Sequence, residues 1–268
     1  MLTAARADGP GPLLAPALIP VDRAAHFLNG PGLQGLRTPG LLDVQSAVKD
    51  CFARRAMLCL TGASGVGKTF ATHAVLAGHP AHRACVLSLP SRPTPADLRT
   101  ALHHALDLLG SPPDDSGVCD AAILDALAAR PRIVTLDEAH QLSPAAFEYL
   151  RYLYDSLPGG LCTVLIAGED GDHVLREVPM LDSRAAVWRE IRPLDTDLVP
   201  LAVRRLHPLW QQATCAQLYC LDGRFAHGRL RRWALLTHQA RRIRSTAPAA
   251  SYGWVEHLAA RVDEGSIR

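Results

Sequence analysis

A glycine-rich segment near the start of the chain constrains the fold more than any other part of the sequence. Residues 62–69 read Gly-Ala-Ser-Gly-Val-Gly-Lys-Thr, which matches the pattern GxxxxGK[ST]. An apolar run, Met57–Thr61, precedes this segment, and a periodic apolar stretch that includes Phe70 and Val75 follows it. A loop of this composition between a buried strand and a helix turns its backbone N–H groups toward a single anion. The segment therefore predicts a phosphate-binding turn.

The residue types in this turn match the chemistry of triphosphate binding. Glycines at three positions let the backbone fold tightly around the phosphates, and Lys68 reaches the β- and γ-phosphates as a point charge. Thr69 offers its hydroxyl to Mg²⁺. The predicted nucleotide-binding residues are Gly62, Ala63, Ser64, Gly65, Val66, Gly67, Lys68 and Thr69.

Two carboxylates follow another apolar run, Ile133–Leu136. Asp137, at the carboxyl end of this predicted strand, can hold Mg²⁺ beside the phosphate-binding turn, so the predicted metal ligands are Thr69 and Asp137. Glu138 can orient a water for in-line attack on the γ-phosphate, which favours hydrolysis over binding alone. His140 completes the letters DEAH, but a helicase of that class needs two motor domains and a downstream arginine-rich motif, and this sequence shows neither.

Short apolar runs alternate with helix-like segments through most of the sequence. The runs are too uniformly apolar for half-exposed strands, so they predict strands buried on both faces of a parallel sheet. Two helix starts are marked by Thr94 and Ser143, each a capping side chain followed by proline. The predicted fold class is therefore α/β, a P-loop parallel sheet with helices on both faces. The apolar runs are Met57–Thr61, Ala84–Leu89, Ile133–Leu136 and Thr163–Ala167.

After about Pro193 the strand-like runs stop and arginine-rich helical stretches follow. We therefore expect a nucleotide-binding domain over residues 40–194 and a small helical lid over 195–268. Residues 1–39, rich in proline and glycine, predict an irregular N-terminal arm. The helical stretches of the lid are Leu198–Leu206, Gly228–Arg244 and Tyr252–Val262.

Composition indicates a globular protein, because hydrophobic residues make up 48% of the chain and charged residues 20%. No apolar run reaches the roughly 18 residues that a membrane helix needs, and prolines interrupt the N-terminus where a signal peptide would be apolar. The seven cysteines are scattered without a CxxC pair, which argues against disulfides and metal binding. We expect a cytoplasmic protein without a membrane partner.

Charge is distributed unevenly along the chain. From Arg204 onward the sequence has eleven arginines and four acidic residues, although the net charge of the whole chain is only +2. A basic C-terminal part attached to an acidic body indicates a polyanionic partner. A set of solvated arginine-rich helices explains the same charges equally well.

With these motifs in place, the sequence resembles the AAA+ ATPases. More narrowly, it resembles transposition regulators of the TniB/TnsC type and the related ExeA-like and origin-recognition-type ATPases. The resemblance runs from about Pro39 to the end, and its most specific stretch is residues 136–142, Leu-Asp-Glu-Ala-His-Gln-Leu. It implies a five-stranded parallel sheet of order 5-1-4-3-2 with a helical lid, in which the short last strand is Arg192-Pro193-Leu194.

The resemblance also implies two catalytic arginines besides Glu138. The segment Met-Leu-Asp-Ser-Arg that ends at Arg184 is similar to the one that carries an arginine finger. Arg184 would then reach the ATP of a neighbouring subunit and neutralise charge on the transferred phosphoryl group. The segment Gly-Arg-Leu-Arg that ends at Arg231 is similar to the sensor 2 motif, which would place Arg231 over the γ-phosphate, with Arg229 and Arg232 as rivals.

One position departs from the family pattern. The strand Thr163–Ala167 leads to the sensor 1 position, which in the family is usually Asn, Thr, Ser or Gln, but here Gly168 and Glu169 follow. An acid beside the γ-phosphate is electrostatically unfavourable. Either the alignment shifts by a residue or the chain is a weaker hydrolase.

The resemblance implies ATP and Mg²⁺ as cofactors and ATP-dependent assembly of the chain with itself into rings or filaments. It also implies DNA as a partner. Aromatic residues are only 5% of the chain, so we expect contact through the DNA phosphates and without sequence specificity. For a transposition regulator a transposase is a further partner. Two alternatives stay open: an ExeA-like or signalling switch that acts on a protein without DNA, and a nucleotide-binding scaffold with little turnover.

Overall fold

The computed structural model describes residues 32–78, 84–246 and 253–263. The described chain forms two compact units. One unit comprises Gly40–Arg192, and the other comprises the described residues up to 39 and from 193 onward. The irregular arm predicted for residues 1–39 falls mostly on residues 1–31, which lie outside the described residues.

A five-stranded parallel sheet forms the centre of the first unit. Its strands follow each other across the sheet in the order β2-β3-β4-β1-β5. Read from the other edge, this is the order 5-1-4-3-2 that the resemblance implies, so the predicted fold is confirmed. The strands are β1 (Met57–Thr61), β2 (Ala84–Leu87), β3 (Ile133–Leu136), β4 (Cys162–Ile166) and β5 (Ala185–Glu190).

Burial on both faces explains why the sequences of the three central strands are almost entirely apolar. Every residue of β1, β3 and β4 is buried, because helices cover both faces of the sheet. The helices of this unit are α1 (Pro39–Arg54), α2 (Lys68–Ala77), α3 (Pro95–Ala105), α4 (Ser116–Ala129), α5 (Pro144–Ser156), α6 (Glu169–Arg176) and α7 (Pro179–Arg184).

Two helices begin at the capping residues that the sequence predicts. The Thr94 hydroxyl accepts a hydrogen bond from the backbone N–H of Asp97, and the Asp97 carboxylate accepts one from the backbone N–H of Thr94. Ser143 caps α5 by accepting a hydrogen bond from the backbone N–H of Ala146. Each cap satisfies backbone donors that the first helical turn leaves without partners.

The last strand lies upstream of its predicted position. The resemblance assigned it to Arg192-Pro193-Leu194, but the structure places it at Ala185–Glu190, where it pairs with β1 at one edge of the sheet. All six residues of this edge strand are exposed or half-buried, so its sequence lacks the apolar run by which the other strands were predicted. Pro193 has no N–H to donate to a neighbouring strand.

The second unit is helical, as predicted. Its helices surround three tryptophans: the ring centroid of Trp210 lies 5.3 Å from that of Trp233 and 5.4 Å from that of Trp254. The indole N–H of Trp210 donates to the hydroxyl of buried Thr237 (2.8 Å), so its polar atom is satisfied inside the core. The helices are α8 (Val199–Leu206), α9 (Cys215–Leu221), α10 (Leu230–Thr246) and α11 (Trp254–Asp263). Helix α9 was not predicted from the sequence.

Across the described ranges, no helix combines the length and the apolar character that crossing a membrane requires. Five of the seven cysteines are buried, and only Cys215 is fully exposed. Burial raises the pKa of the Cys59 thiol in β1 to about 12.

A buried carboxylate joins three helices of the first unit. Asp120 of α4 accepts two hydrogen bonds from the guanidinium of Arg99 in α3 (2.8 and 3.1 Å) and one from the hydroxyl of Tyr149 in α5 (2.7 Å). The Arg99 guanidinium also lies 4.5 Å from the centroid of the Tyr149 ring. Burial and the Asp120 carboxylate raise the pKa of Tyr149, so this phenol stays protonated and donates.

Asp120→Ala should lower the free energy of unfolding by about 2–4 kcal/mol, because it leaves a largely buried guanidinium and a buried phenol without their acceptor. Urea unfolding at neutral pH measures this loss. Asp125→Ala removes an exposed carboxylate from the same helix and is the matched control. An equal loss in both variants would show that Asp120 contributes no more than helix surface charge.

Candidate nucleotide-binding site

The turn between β1 and α2 has the backbone conformation that only glycine adopts easily. Gly62, Gly65 and Gly67 have φ values of 136°, 82° and 104°. At Gly62 space is also lacking, because a Cβ there would lie 2.2 Å from the carbonyl oxygen of Ile191, the residue that follows β5. Gly67 precedes α2 and makes no side-chain cap, and the N-terminus of the helix carries the positive end of the helix dipole, which favours an anion.

Lys68 lies across this turn. Its ammonium donates to the carbonyl oxygens of Gly62 (2.7 Å) and Ala63 (3.0 Å), at the start of the same turn. In a nucleotide complex, phosphate oxygens would accept the hydrogen bonds that these two carbonyl oxygens accept from Lys68 here. The lysine is thus held at the turn by local contacts.

Thr69 and Asp137 meet although 68 positions separate them in sequence. The Thr69 hydroxyl, in the first turn of α2, donates to a carboxylate oxygen of Asp137 at 2.7 Å. The contact arises because β1 and β3 are parallel, so the residues that follow their carboxyl ends lie at the same edge of the sheet. A hydroxyl and a carboxylate oxygen are hard ligands of the kind that Mg²⁺ prefers, so the two residues fit a magnesium ion that is completed by phosphate oxygens.

Glu138 turns the chain sharply after Asp137. Its φ and ψ of 51° and 38° are left-handed, which is uncommon for a residue other than glycine and is found at functional sites. Its backbone N–H donates to Asp137 (2.9 Å), so both oxygens of that carboxylate are engaged. The Glu138 side chain itself is 60% exposed, which leaves its carboxylate accessible to water. A 3₁₀ turn, Ala139–Gln141, follows.

The position after β4 is occupied by the start of a helix. Gly168 precedes α6, and Glu169 is exposed in its first turn, where the helix N-terminus favours a negative charge.

Asp172, one turn further along α6, was not predicted from the sequence. A hydrogen bond from Arg176 (2.8 Å), aided by the side chain of Thr61 at the end of β1, holds the pKa of Asp172 below its ordinary value. Asp172 therefore remains charged beside the start of the phosphate-binding turn.

Arg184 does not lie at the phosphate-binding turn of its own chain. It ends α7, and the next residue, Ala185, pairs with Met57 at the amino end of β1. The phosphate-binding turn begins at the other end of β1, about 13 Å away at 3.3 Å per residue. The guanidinium instead makes a bidentate pair with Asp155 of α5 (2.9 and 2.7 Å), with 20% of the Arg184 side chain exposed.

Arg231 belongs to the second unit and is exposed in the first turn of α10. The preceding glycine of its motif is required, because Gly228 has φ 69° and a Cβ there would lie 2.4 Å from the carbonyl oxygen of Leu194. Asp222 accepts a hydrogen bond from the Gly228 N–H (2.8 Å) and fixes this turn. Of the two rival arginines, Arg232 is engaged with the carbonyl oxygen of Phe225 (2.6 Å), and Arg229 is half-buried.

The sheet order, the glycine-rich turn and the acid at the end of β3 define the P-loop fold of the AAA+ ATPases. In agreement with this, residues 53–175 match the family model described as AAA domain. No curated protein matches the chain in sequence.

Solved structures are similar to this chain in fold at low sequence identity. The ORC2 protein of Aeropyrum pernix in its ADP form is 12% identical, with a TM-score of 0.64 over 81% of this chain and 67% of that one. The Walker-type ATPase of Pyrococcus abyssi is 16% identical, with a TM-score of 0.61 over 84% and 72%. The RuvB Holliday junction branch migration motor of Thermotoga maritima is 18% identical, with a TM-score of 0.56 over 84% and 67%. This chain thus spans about two thirds of the ORC2 and RuvB chains.

If Thr69 holds Mg²⁺ as predicted, Thr69→Val should reduce the Mg²⁺-dependent part of ATP affinity by about tenfold or more, because it removes the hydroxyl while keeping the side-chain shape. Titration of a slowly hydrolysed ATP analogue with and without Mg²⁺ measures this. Thr72→Val, one turn later on α2, removes a hydroxyl that donates only to the carbonyl oxygen of Lys68 and is the control. A Mg²⁺ effect of wild-type size in Thr69→Val would contradict the assignment of Thr69 as a metal ligand.

Proposed function

We propose that this protein binds ATP with Mg²⁺ and hydrolyses it as an AAA+ ATPase. The observation on which this depends is the contact between Thr69 and Asp137, which joins the phosphate-binding turn to the acid pair in one site. ATP is then the substrate, held by the backbone of residues 62–69 and by Lys68. Mg²⁺, when bound, is held by Thr69 and Asp137 and neutralises charge on the β- and γ-phosphates.

Glu138 is the proposed catalytic carboxylate. Its exposed side chain follows Asp137 directly, so it can hydrogen-bond a water at the edge of the sheet where the γ-phosphate would lie. Accepting a proton from that water directs its lone pair at phosphorus for in-line displacement of ADP. Asp137 is unsuited to this role because Thr69 and the Glu138 N–H already engage its oxygens.

Arg184 is proposed to act on the ATP of a neighbouring subunit. The length of β1 separates Arg184 from the phosphate-binding turn of its own chain, which supports action in trans and hence assembly of the protein with itself. A guanidinium beside the transferred phosphoryl group stabilises the charge of the transition state. Arg231 is proposed as the sensor 2 residue that contacts the γ-phosphate.

Glu138→Gln should lower turnover by about 10²-fold or more with ATP affinity retained, because an amide cannot accept the proton. Arg184→Ala should likewise lower turnover. An equimolar mixture of the two variants should recover activity, because a Glu138→Gln subunit still offers Arg184 to a neighbour whose Glu138 is intact. Steady-state phosphate release measures all three samples.

Glu148→Gln, an exposed acid of α5 paired with Arg151, is the matched control and should keep wild-type turnover. A Glu138→Gln variant with wild-type turnover would exclude Glu138 as the base. A mixture with no more activity than its components would exclude action of Arg184 in trans.

DNA is the proposed partner of the second unit, and α10 supports this. The helix contains five arginines and no acidic residue. His238 and Arg242, four residues apart, are exposed on the face that also carries Arg231, whereas Arg244 is exposed on a different face, with its guanidinium 6.0 Å from the centroid of the Trp254 ring. Exposed basic side chains on a helix without an exposed Trp, Tyr or Phe suit phosphates and not base edges, so binding would be independent of sequence.

The variant Arg242→Gln should weaken DNA binding and reduce the slope of log K against log salt by about one, because one phosphate contact is lost. Fluorescence anisotropy with two unrelated duplexes and an ATP analogue, at several salt concentrations, measures the slope. Arg54→Gln removes one exposed arginine of the first unit and is the control. An unchanged slope in Arg242→Gln would exclude Arg242 as a DNA contact.

More specifically, we propose that this ATPase is a cytoplasmic regulator of transposition, which assembles on DNA with ATP and recruits a transposase. Its support is the DEAHQL sequence at residues 137–142 together with the basic second unit. ATP-dependent retention of a transposase on DNA only when this protein is present would support it. Binding of a protein partner by the ATP form with no affinity for DNA would favour the signalling switch instead.

A further inference from the structure

His140 is a polar residue of the acid-pair turn that the proposed chemistry does not yet use. It lies on the 3₁₀ turn that follows Glu138, and its Nε2 is 3.5 Å from a carboxylate oxygen of Glu138. Only 25% of the His140 side chain is exposed. A distance of this size is typical of catalytic contacts that tighten when substrate binds.

Close packing on α6 fixes the imidazole ring of His140. A Cβ added to Gly171, in the middle of α6, would lie 2.8 Å from Cγ and from Nδ1 of the ring and also 2.8 Å from Cβ of Ala167. Glycine is unfavourable inside a helix, so its place here is explained by the ring that occupies the space of a side chain. The ring therefore has little freedom to turn away from Glu138.

The hydrogen-bonding environment of the ring indicates which nitrogen bears hydrogen. Nδ1 of His140 is buried and has no hydrogen-bond partner among the described residues. A buried N–H without an acceptor is costly, whereas a bare ring nitrogen in the same place costs less. The hydrogen therefore belongs on Nε2, the nitrogen that faces the Glu138 carboxylate.

The other side of the same turn is also anchored. The Ser91 hydroxyl, in the loop after β2, lies 3.2 Å from the side-chain oxygen of Gln141. The turn is thus held between α6, through His140, and this loop, through Gln141.

We propose that His140 is a positioning residue for Glu138: its Nε2–H donates to the carboxylate and holds it in the orientation that activates water. The proposal rests on the assignment of Glu138 as the catalytic carboxylate. His140 contacts neither nucleotide nor metal in this scheme, so its loss should affect kcat and leave ATP affinity unchanged.

His140→Phe keeps a ring against Gly171 but lacks the donor, and it should lower kcat by about 10- to 100-fold with an unchanged Kd for ATP. His140→Gln restores an N–H donor at the position of Nε2 and should recover most of the lost kcat. Gly171→Ala should reproduce His140→Phe, because its Cβ displaces the ring. Gly223→Ala is the glycine control, since a Cβ there has nothing within 4 Å.

A double-mutant cycle separates this proposal from the proposed function. If His140 acts through Glu138, the variant Glu138→Gln/His140→Phe should be no slower than Glu138→Gln alone. Wild-type turnover in Glu138→Gln would instead overturn the proposed function itself. A further loss in the double variant, wild-type or raised kcat in His140→Phe, or no recovery in His140→Gln would overturn the role of His140.

Two readouts do not depend on turnover. Thermal unfolding and ATP binding of His140→Phe should match the wild type, and a parallel loss of both would mean that His140 is only structural. The ¹⁵N chemical shifts of the His140 ring in the wild type should show hydrogen on Nε2 and a shift of that nitrogen in Glu138→Gln. Hydrogen on Nδ1 would overturn the proposed contact.

Discussion

The start of α2 and the turn after β3 meet at one edge of the parallel sheet, and the proposed ATPase activity depends on that contact. The Thr69 hydroxyl and the Asp137 carboxylate are 2.7 Å apart because α2 begins at the end of β1 and Asp137 follows the end of β3. A parallel sheet places all strand ends of one kind on one side, so residues distant in sequence form a single site without any long-range pairing of their own. The positive φ values of the glycines at 62, 65 and 67 give the backbone the tight turn that the proposed phosphate binding requires.

This geometry also explains which parts of the fold and site the sequence could predict. The strands β1, β3 and β4 are buried on both faces, so burial alone made their sequences recognisable. The edge strand β5 is half exposed, and α9 is only seven residues long, so neither has a clear pattern. In the site, residues within one motif were predictable, whereas Asp155 beside Arg184 and Gly171 beside His140 were not, because each pair comes from separate helices.

Helix α6 connects both loops of the site, and this bears on the unusual acid after β4. Asp172 of α6 lies beside Thr61, which leads into the phosphate-binding turn, and Gly171 of α6 packs on His140, which follows the acid pair. A movement of α6 would therefore change its contacts with both loops. Glu169 itself is exposed at the start of this helix.

The pair of Arg184 with Asp155 gives the proposed assembly a physical basis for its dependence on ATP. The Asp155 side chain is 43% exposed and that of Arg184 20%, and ion pairs accessible to water stabilise by no more than about 1 kcal/mol. In the proposed assembly, the Arg184 guanidinium would exchange this carboxylate for the triphosphate bound to a neighbouring subunit, which carries more negative charge. The proposed interface would exclude water, so the effective dielectric constant would fall and the attraction between guanidinium and triphosphate would be stronger. ADP lacks the γ-phosphate that Arg184 would contact, so the exchange would favour the ATP form. In the proposed assembly, nucleotide state and self-association would be coupled through one guanidinium that has two alternative acceptors.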